Sequence, residues 1–135
     1  MEAMDGVLLL VDSDHSALTD LKKHLQAHLG LETLTATSAE EALQITKQFP
    51  VRVVVVALDL IDDKGYNLVP RLKEMRSGLN AIITTSDYSE QAEKRSRACG
   101  LSLYLPKPLD LEILKLAVKL AWRNAINRSL STEAV

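Results

Sequence analysis

Residues 53–65 read VVVVALDLIDDKG, and no other stretch limits the possible folds so sharply. Four consecutive valines suit a strand buried on both faces, because β-branched side chains pack well on a pleated surface and neither face needs to be polar. A strand of that kind belongs at the centre of a parallel sheet. In open α/β sheets the working site forms beside the carboxyl ends of such strands. The residues standing there are Ala57, whose methyl group has no chemistry, and Asp59, which carries a carboxylate.

The rest of the chain alternates in the way a parallel sheet requires. Val7–Val11 is a short apolar run between Gly6 and Asp12 and reads as a first strand. From about His15 to Leu29, Leu18, Leu21, Leu25 and Leu29 fall on one helical face, and Gly30 closes the helix. Glu32–Thr37 reads as a second strand. Ser38-Ala39-Glu40-Glu41 forms a capping box in which Ser38 caps the next helix and Glu41 reaches back. That helix ends near Pro50, and the valine strand follows. A third helix is expected from about Tyr66 to Arg76, with Pro70 near its fourth position, where a missing N–H costs little. Ala81–Thr85 and Leu101–Leu105 read as the fourth and fifth strands, on either side of a polar helix over Ser89–Cys99. Pro106-Lys107-Pro108 breaks the chain before a long last helix from about Asp110 to Asn127. Five strands alternating with five helices imply a parallel sheet with right-handed crossovers and helices on both faces.

At 135 residues the chain holds one domain with a sizeable core and not two; residues 1–128 are expected to form it, with 129–135 as a tail. A net charge of −2 gives no general attraction to nucleic acid or an anionic membrane. No apolar run approaches the roughly 18–20 residues that span a bilayer. The single cysteine, Cys99, excludes an internal disulfide and fits a reducing, cytoplasmic compartment. Cys99 itself reads as a small buried residue at a helix end. His24 and His28 share a helix face, but His15, His24 and His28 are not spaced like a metal cluster.

The last helix is apolar over more of its surface than a sheet can cover. Glu112, Lys115, Lys119 and Arg123 fill one narrow stripe, while leucine, isoleucine, valine and alanine cover about two-thirds of the circumference. With Trp122 and Ile126 at its edge, the excess reads as a second contact surface for a partner or another copy of the chain, centred on Leu116, Leu120 and Trp122. The alternative is that neighbouring helices or the tail cover it.

The strand ends gather a chemically coherent set: Asp12, Ser13 and Asp14 after the first, Ala57 and Asp59 after the third, Thr85 and Ser86 at the fourth, and Lys107 with Pro108 after the fifth. Carboxylates beside a hydroxyl and a lysine can hold Mg²⁺ and a phosphoryl group. VLLLVDSD, VVVVALDLIDDKG, AIITTS and ACGLSLYLPKPLDLE together resemble a response-regulator receiver domain over Val7 to about Trp122. The resemblance implies a flavodoxin-like (βα)5 doubly wound fold with strand order 2-1-3-4-5. It implies a two-component signalling module rather than an enzyme, partnered by a histidine kinase or other signalling protein. In that family an acidic pair after the first strand binds Mg²⁺ and an aspartate ending the third accepts a phosphoryl group. A Ser/Thr ending the fourth strand and a lysine after the fifth contact the phosphoryl group. That hydroxyl residue and an aromatic on the fifth strand relay the change.

Asp12 matches the first acid, Thr85 the switch hydroxyl, Tyr104 the aromatic and Lys107 the lysine. Two positions depart from the pattern. The second acid falls on Ser13, and the acceptor falls on Ala57, with Gly65 at the family's spacing of eight beyond it and Ile61 in place of a proline. The other candidate acceptor is Asp59. It lies two residues, or about 6–7 Å of strand, further on, too far for a Mg²⁺ ligand unless the whole strand slides. Of the family's three site carboxylates only Asp12 remains, with Asp59 a weak further ligand, so Mg²⁺ affinity is expected to be poor. The expected mode of action is therefore by protein contacts, without aspartyl phosphorylation; the alternative is a conventional phospho-receiver using Asp59. The acidic cluster Asp59, Asp62 and Asp63 also reads as a solvated loop favouring the start of the following helix. A flavodoxin-like cofactor binder is disfavoured, because Asp12 and Asp14 repel a phosphate at the first loop.

Overall fold

In the computed structural model, residues 6–100 and 103–134 are described, with side chains as far as Ala125. Five strands form one parallel sheet in the order β2-β1-β3-β4-β5. The elements alternate as the sequence requires: β1 (Val7–Val11), α1 (His15–Leu29), β2 (Thr33–Ala36), α2 (Ala39–Gln48), β3 (Val51–Ala57), α3 (Gly65–Met75), β4 (Asn80–Thr85), α4 (Glu90–Ala98), β5 (Leu103–Pro106) and α5 (Leu111–Ala134). The valine strand lies at the centre, between β1 and β4. Of the expected fifth strand, Leu101 and Ser102 lie outside the described residues.

The sheet divides the core by side-chain parity. Leu9, Val11, Val54, Val56 and Ile83 pack on one face with residues of α2, α3 and α4. Leu8, Leu10, Val53, Val55 and Ile82 pack on the other with Leu18 and Leu25 of α1 and Leu114, Val118 and Trp122 of α5. Adjacent residues facing opposite layers is what a two-unit side-chain repeat produces when both faces are covered.

Helix ends follow local chemistry. The Asp14 carboxylate accepts from the Ala17 N–H at 3.1 Å and starts α1, and Gly30 ends it in the left-handed region at φ +67°. The Ser38 hydroxyl accepts from the Glu41 N–H at 3.1 Å. The Glu41 carboxylate reaches back one residue further than a capping box expects, to the Thr37 N–H at 2.7 Å. Gly65 is set by close approach: its N–H donates to the Leu58 carbonyl at 2.7 Å, and a Cβ there would meet the Ala57 carbonyl oxygen at 3.0 Å.

Two expectations for the last helix change. It runs to Ala134 rather than ending near Asn127; no glycine or proline follows Pro108 to break it. Trp122 is not part of an exposed stripe. It is 7% exposed and packs in the core between the sheet and α1, because it follows Val118 by one turn and faces the same way. Leu116 and Leu120 remain 58% and 45% exposed, with Ile113 beside them at 51%. Ile126 lies outside the residues whose side chains are described. Among the described residues no helix is long and apolar enough to cross a membrane.

Candidate functional site

Register sets the site. Val11 pairs with Val56 and Ala57 pairs with Thr84, so Asp12 and Ala57 leave the sheet side by side with Thr85 following. The Leu58 N–H still donates to the Thr84 carbonyl at 2.8 Å, which fixes the end of β3 at this level. Ala57 is 4% exposed.

Asp12 and Lys107 close over this point from opposite sides. Lys107 Nζ lies 2.8 Å from Asp12 Oδ2, with side chains 30% and 19% exposed. Asp12 Oδ1 accepts from the Asp14 N–H at 3.0 Å. Lys107 is held in turn by its backbone, whose N–H donates to the Thr85 carbonyl at 2.7 Å. The Tyr88 hydroxyl donates to the Lys107 carbonyl. The structure thus places Asp12, Lys107 and Thr85 around the end of β3 at Ala57.

Thr85 and Tyr104 meet through the backbone of Asp87. Thr85 Oγ1 accepts from the Asp87 N–H at 2.8 Å and lies 3.3 Å from the Asp87 carbonyl. The Tyr104 hydroxyl donates to that same carbonyl at 3.2 Å. Half-buried Tyr104 also packs on the core, with the Arg97 guanidinium 5.8 Å from its ring centroid. The Asp87 carboxylate accepts from the Ser89 N–H, which holds it below its ordinary range. Half-buried Asp87 is therefore the joint between β4, β5 and α4, a role that no sequence signal revealed.

Asp59 stands apart from this group. Its carboxylate pairs with Lys64 across an isolated antiparallel bridge, and both side chains are exposed. That pairing raises the Lys64 pKa, the hydrogen bond to Asp59 contributing most. Ser13, in place of a second acid, accepts from the Ile61 N–H at 2.9 Å. Asp62 does not favour the helix that follows it. Its two carboxylate oxygens accept from the Ala39 and Glu40 N–H groups, at 2.8 and 3.0 Å, at the start of α2. The Ala39 bond is the main reason its pKa lies below the ordinary value. Asp63 accepts from the Lys64 N–H and the Asn67 side chain, so it does serve the start of α3.

The donor set does not match a Mg²⁺ ion, which takes hard oxygen ligands in near-octahedral array. Ala57 offers no side-chain oxygen, the Ser13 hydroxyl is engaged by Ile61, and both Asp12 oxygens have donors. Among the described residues no group of three or more His, Cys, Asp or Glu side chains converges as a metal site.

The family model for the response regulator receiver domain matches residues 8–119. The chain belongs to the receiver-domain family. Receiver domains are in general signalling modules of two-component systems. This receiver is 26% identical over 118 residues to the DNA-binding transcriptional regulator NtrC of Azospirillum brasilense, covering 87% of this chain and 24% of that protein. It is 24% identical over 114 residues to the sensor histidine kinase RcsC of Salmonella typhimurium, covering 84% of this chain and 12% of the kinase. The chain thus spans a quarter or less of the length of these two relatives. Among solved structures it resembles the signal receiver domain of an HD domain-containing protein from Pseudomonas fluorescens, at 27% identity and a TM-score of 0.85, covering 93% of both chains.

Proposed function

We infer that this receiver signals through protein contacts without phosphorylation of an aspartate. The observation that carries the reading is Ala57, a methyl group at the end of β3 level with Asp12 and Thr84. Nothing at that position accepts a phosphoryl group. The lysine that would contact a phosphoryl oxygen is ion-paired to Asp12 instead, and no resident Mg²⁺ is required. Asp59 lies beyond the strand end and is bound to Lys64.

The output runs through the joint formed by Thr85, Asp87 and Tyr104 to the outer face of α5. Ile113, Leu116 and Leu120 lie there at i, i+3 and i+7 and present one apolar stripe. The reading assigns that stripe to a signalling partner such as a histidine kinase, or to a second copy of the chain, in the cytoplasm. Its relatives being a sensor kinase and a transcriptional regulator supports a signalling partner; a net charge of −2 supports a protein surface over nucleic acid. The test is intact mass after incubation with acetyl phosphate and Mg²⁺. The expected result is no phosphoryl adduct. A Mg²⁺-dependent adduct mapped to Asp59 overturns the reading and restores a conventional phospho-receiver.

A further inference from the structure

His24 Nε2, on α1, is sealed from solvent and has no hydrogen-bond partner among the described residues. Buried polar atoms without a partner are uncommon and call for an explanation. A neutral imidazole tolerates the position, because its hydrogen can stand on Nδ1 and leave Nε2 bare. A protonated one does not. Both ring nitrogens are then donors, and the Nε2 N–H is buried with nothing to accept it. His28 lies one turn on, its ring centroid 4.3 Å from that of His24. Its Nδ1 donates to the His24 carbonyl at 2.8 Å. Positive charge on both rings at that separation is repulsive.

The charges around the pair do not offset a further positive one. His24 faces the cavity beside the β5–α5 loop, where Asp12 is taken by Lys107 and Asp14 caps α1. Asp20, one turn back on α1, is exposed and makes no bond to the sealed nitrogen. His28 faces a second cavity lined by Glu112, Lys115 and Lys119 of α5. There Glu112 is paired with Lys115 at 3.0 Å, so the balance on that side is positive. β1 and β2, also packed against α1, carry no charged residue.

We propose that this histidine pair makes the packing of α1 against α5 sensitive to acid, and that protonation of the pair loosens α5. A ring that takes a proton leaves its buried position to regain water, and α5 loses part of the surface it rests on. α5 is the element affected because His24 lies opposite Leu109 and Leu111, where it begins, and His28 lies opposite Lys115 and Leu116. Histidine ordinarily changes charge between about pH 5 and 8, so the packing is complete at the alkaline end and weakens as pH falls. The consequence for signalling rests on the assignment of output to α5 under the proposed function; the loosening itself does not.

The test is amide hydrogen exchange of the full chain at pH 7.5 and 5.5, with each rate corrected for the intrinsic pH dependence of exchange. The expected result is a fall of about tenfold in the protection of α5 amides from Leu114 to Trp122, the factor that one unmade hydrogen bond of a buried group carries. Protection in β3 and β4 should hold. His24→Phe keeps a ring without its nitrogens and should remove the fall, and His24→Leu should do the same. Unchanged protection of α5 at pH 5.5, a loss shared equally by β3 and β4, or a loss undiminished in both His24 variants overturns the proposal. A phosphoryl adduct at Asp59, measured separately, overturns phosphorylation-independent signalling and leaves the acid response standing.

Discussion

Replacing Asp62 by alanine isolates a contact that joins two loops and contributes to stability without touching the core. Its carboxylate closes two of the free N–H groups at the start of α2, at 2.8 and 3.0 Å. Removing a capping side chain costs about 0.5–2 kcal/mol. Ser38 continues to cap the Glu41 N–H, and water reaches the exposed donors left behind, so we expect a loss of about 1 kcal/mol. For a domain of this size that is a fall in Tm of roughly 3–5 °C. Asp62→Asn keeps an oxygen acceptor but loses the charge at the positive end of the helix, and should cost about half as much. The pH dependence has a defined sign. The folded-state pKa of Asp62 lies below its ordinary 3.8, so its contribution is fully present above pH 3.8. It is lost as pH falls from there through the lowered folded value. Urea unfolding of wild type and Asp62→Ala at pH 7 and in steps below pH 4 measures this directly. The two stability curves should converge in acid. A difference that is absent at pH 7, or that persists unchanged into strong acid, refutes the capping argument.

Other consequences follow from single contacts. Gly65→Ala sets a Cβ 3.0 Å from the Ala57 carbonyl oxygen and should destabilise by about 1–3 kcal/mol in chemical denaturation, since its neighbour is backbone and cannot yield. Trp122→Ala should cost about 3–5 kcal/mol, whereas Leu116→Asp should alter melting little but weaken self-association or partner capture, read by sedimentation velocity and pull-down. Mg²⁺ at millimolar concentration should leave Tm unchanged, where a resident ion would raise it by mass action. In a double-mutant cycle, Asp12→Asn and Lys107→Met should couple by about 1 kcal/mol or less, because both groups keep partial contact with solvent.

The fold was legible because its signals are local and repeated. Valine runs mark central strands, and Gly30 and Ser38 mark helix ends through their own backbone neighbours. The site was legible where register alone places residues: Asp12, Ala57, Thr85 and Lys107 all follow directly from strand ends. The contacts that escaped depend on which loops meet. Asp62 to Ala39 spans 23 residues and Ser13 to Ile61 spans 48, and no periodicity encodes a meeting of two loops. Asp87 was missed because its backbone, not its side chain, joins Thr85 to Tyr104. Trp122 was misplaced because α5 buries only one stripe of a surface that is apolar over about two-thirds of its circumference, and helical phase alone did not identify which.

The most direct test of phosphorylation-independent signalling is a ¹H–¹⁵N spectrum of the full chain recorded with and without beryllofluoride and Mg²⁺, which together mimic a phosphoryl group on an aspartate. The account predicts that the amides of Thr85, Asp87, Tyr104 and Lys107, and those along α5, stay where they are. A saturable, Mg²⁺-dependent displacement of those resonances would contradict it and identify a working acceptor carboxylate.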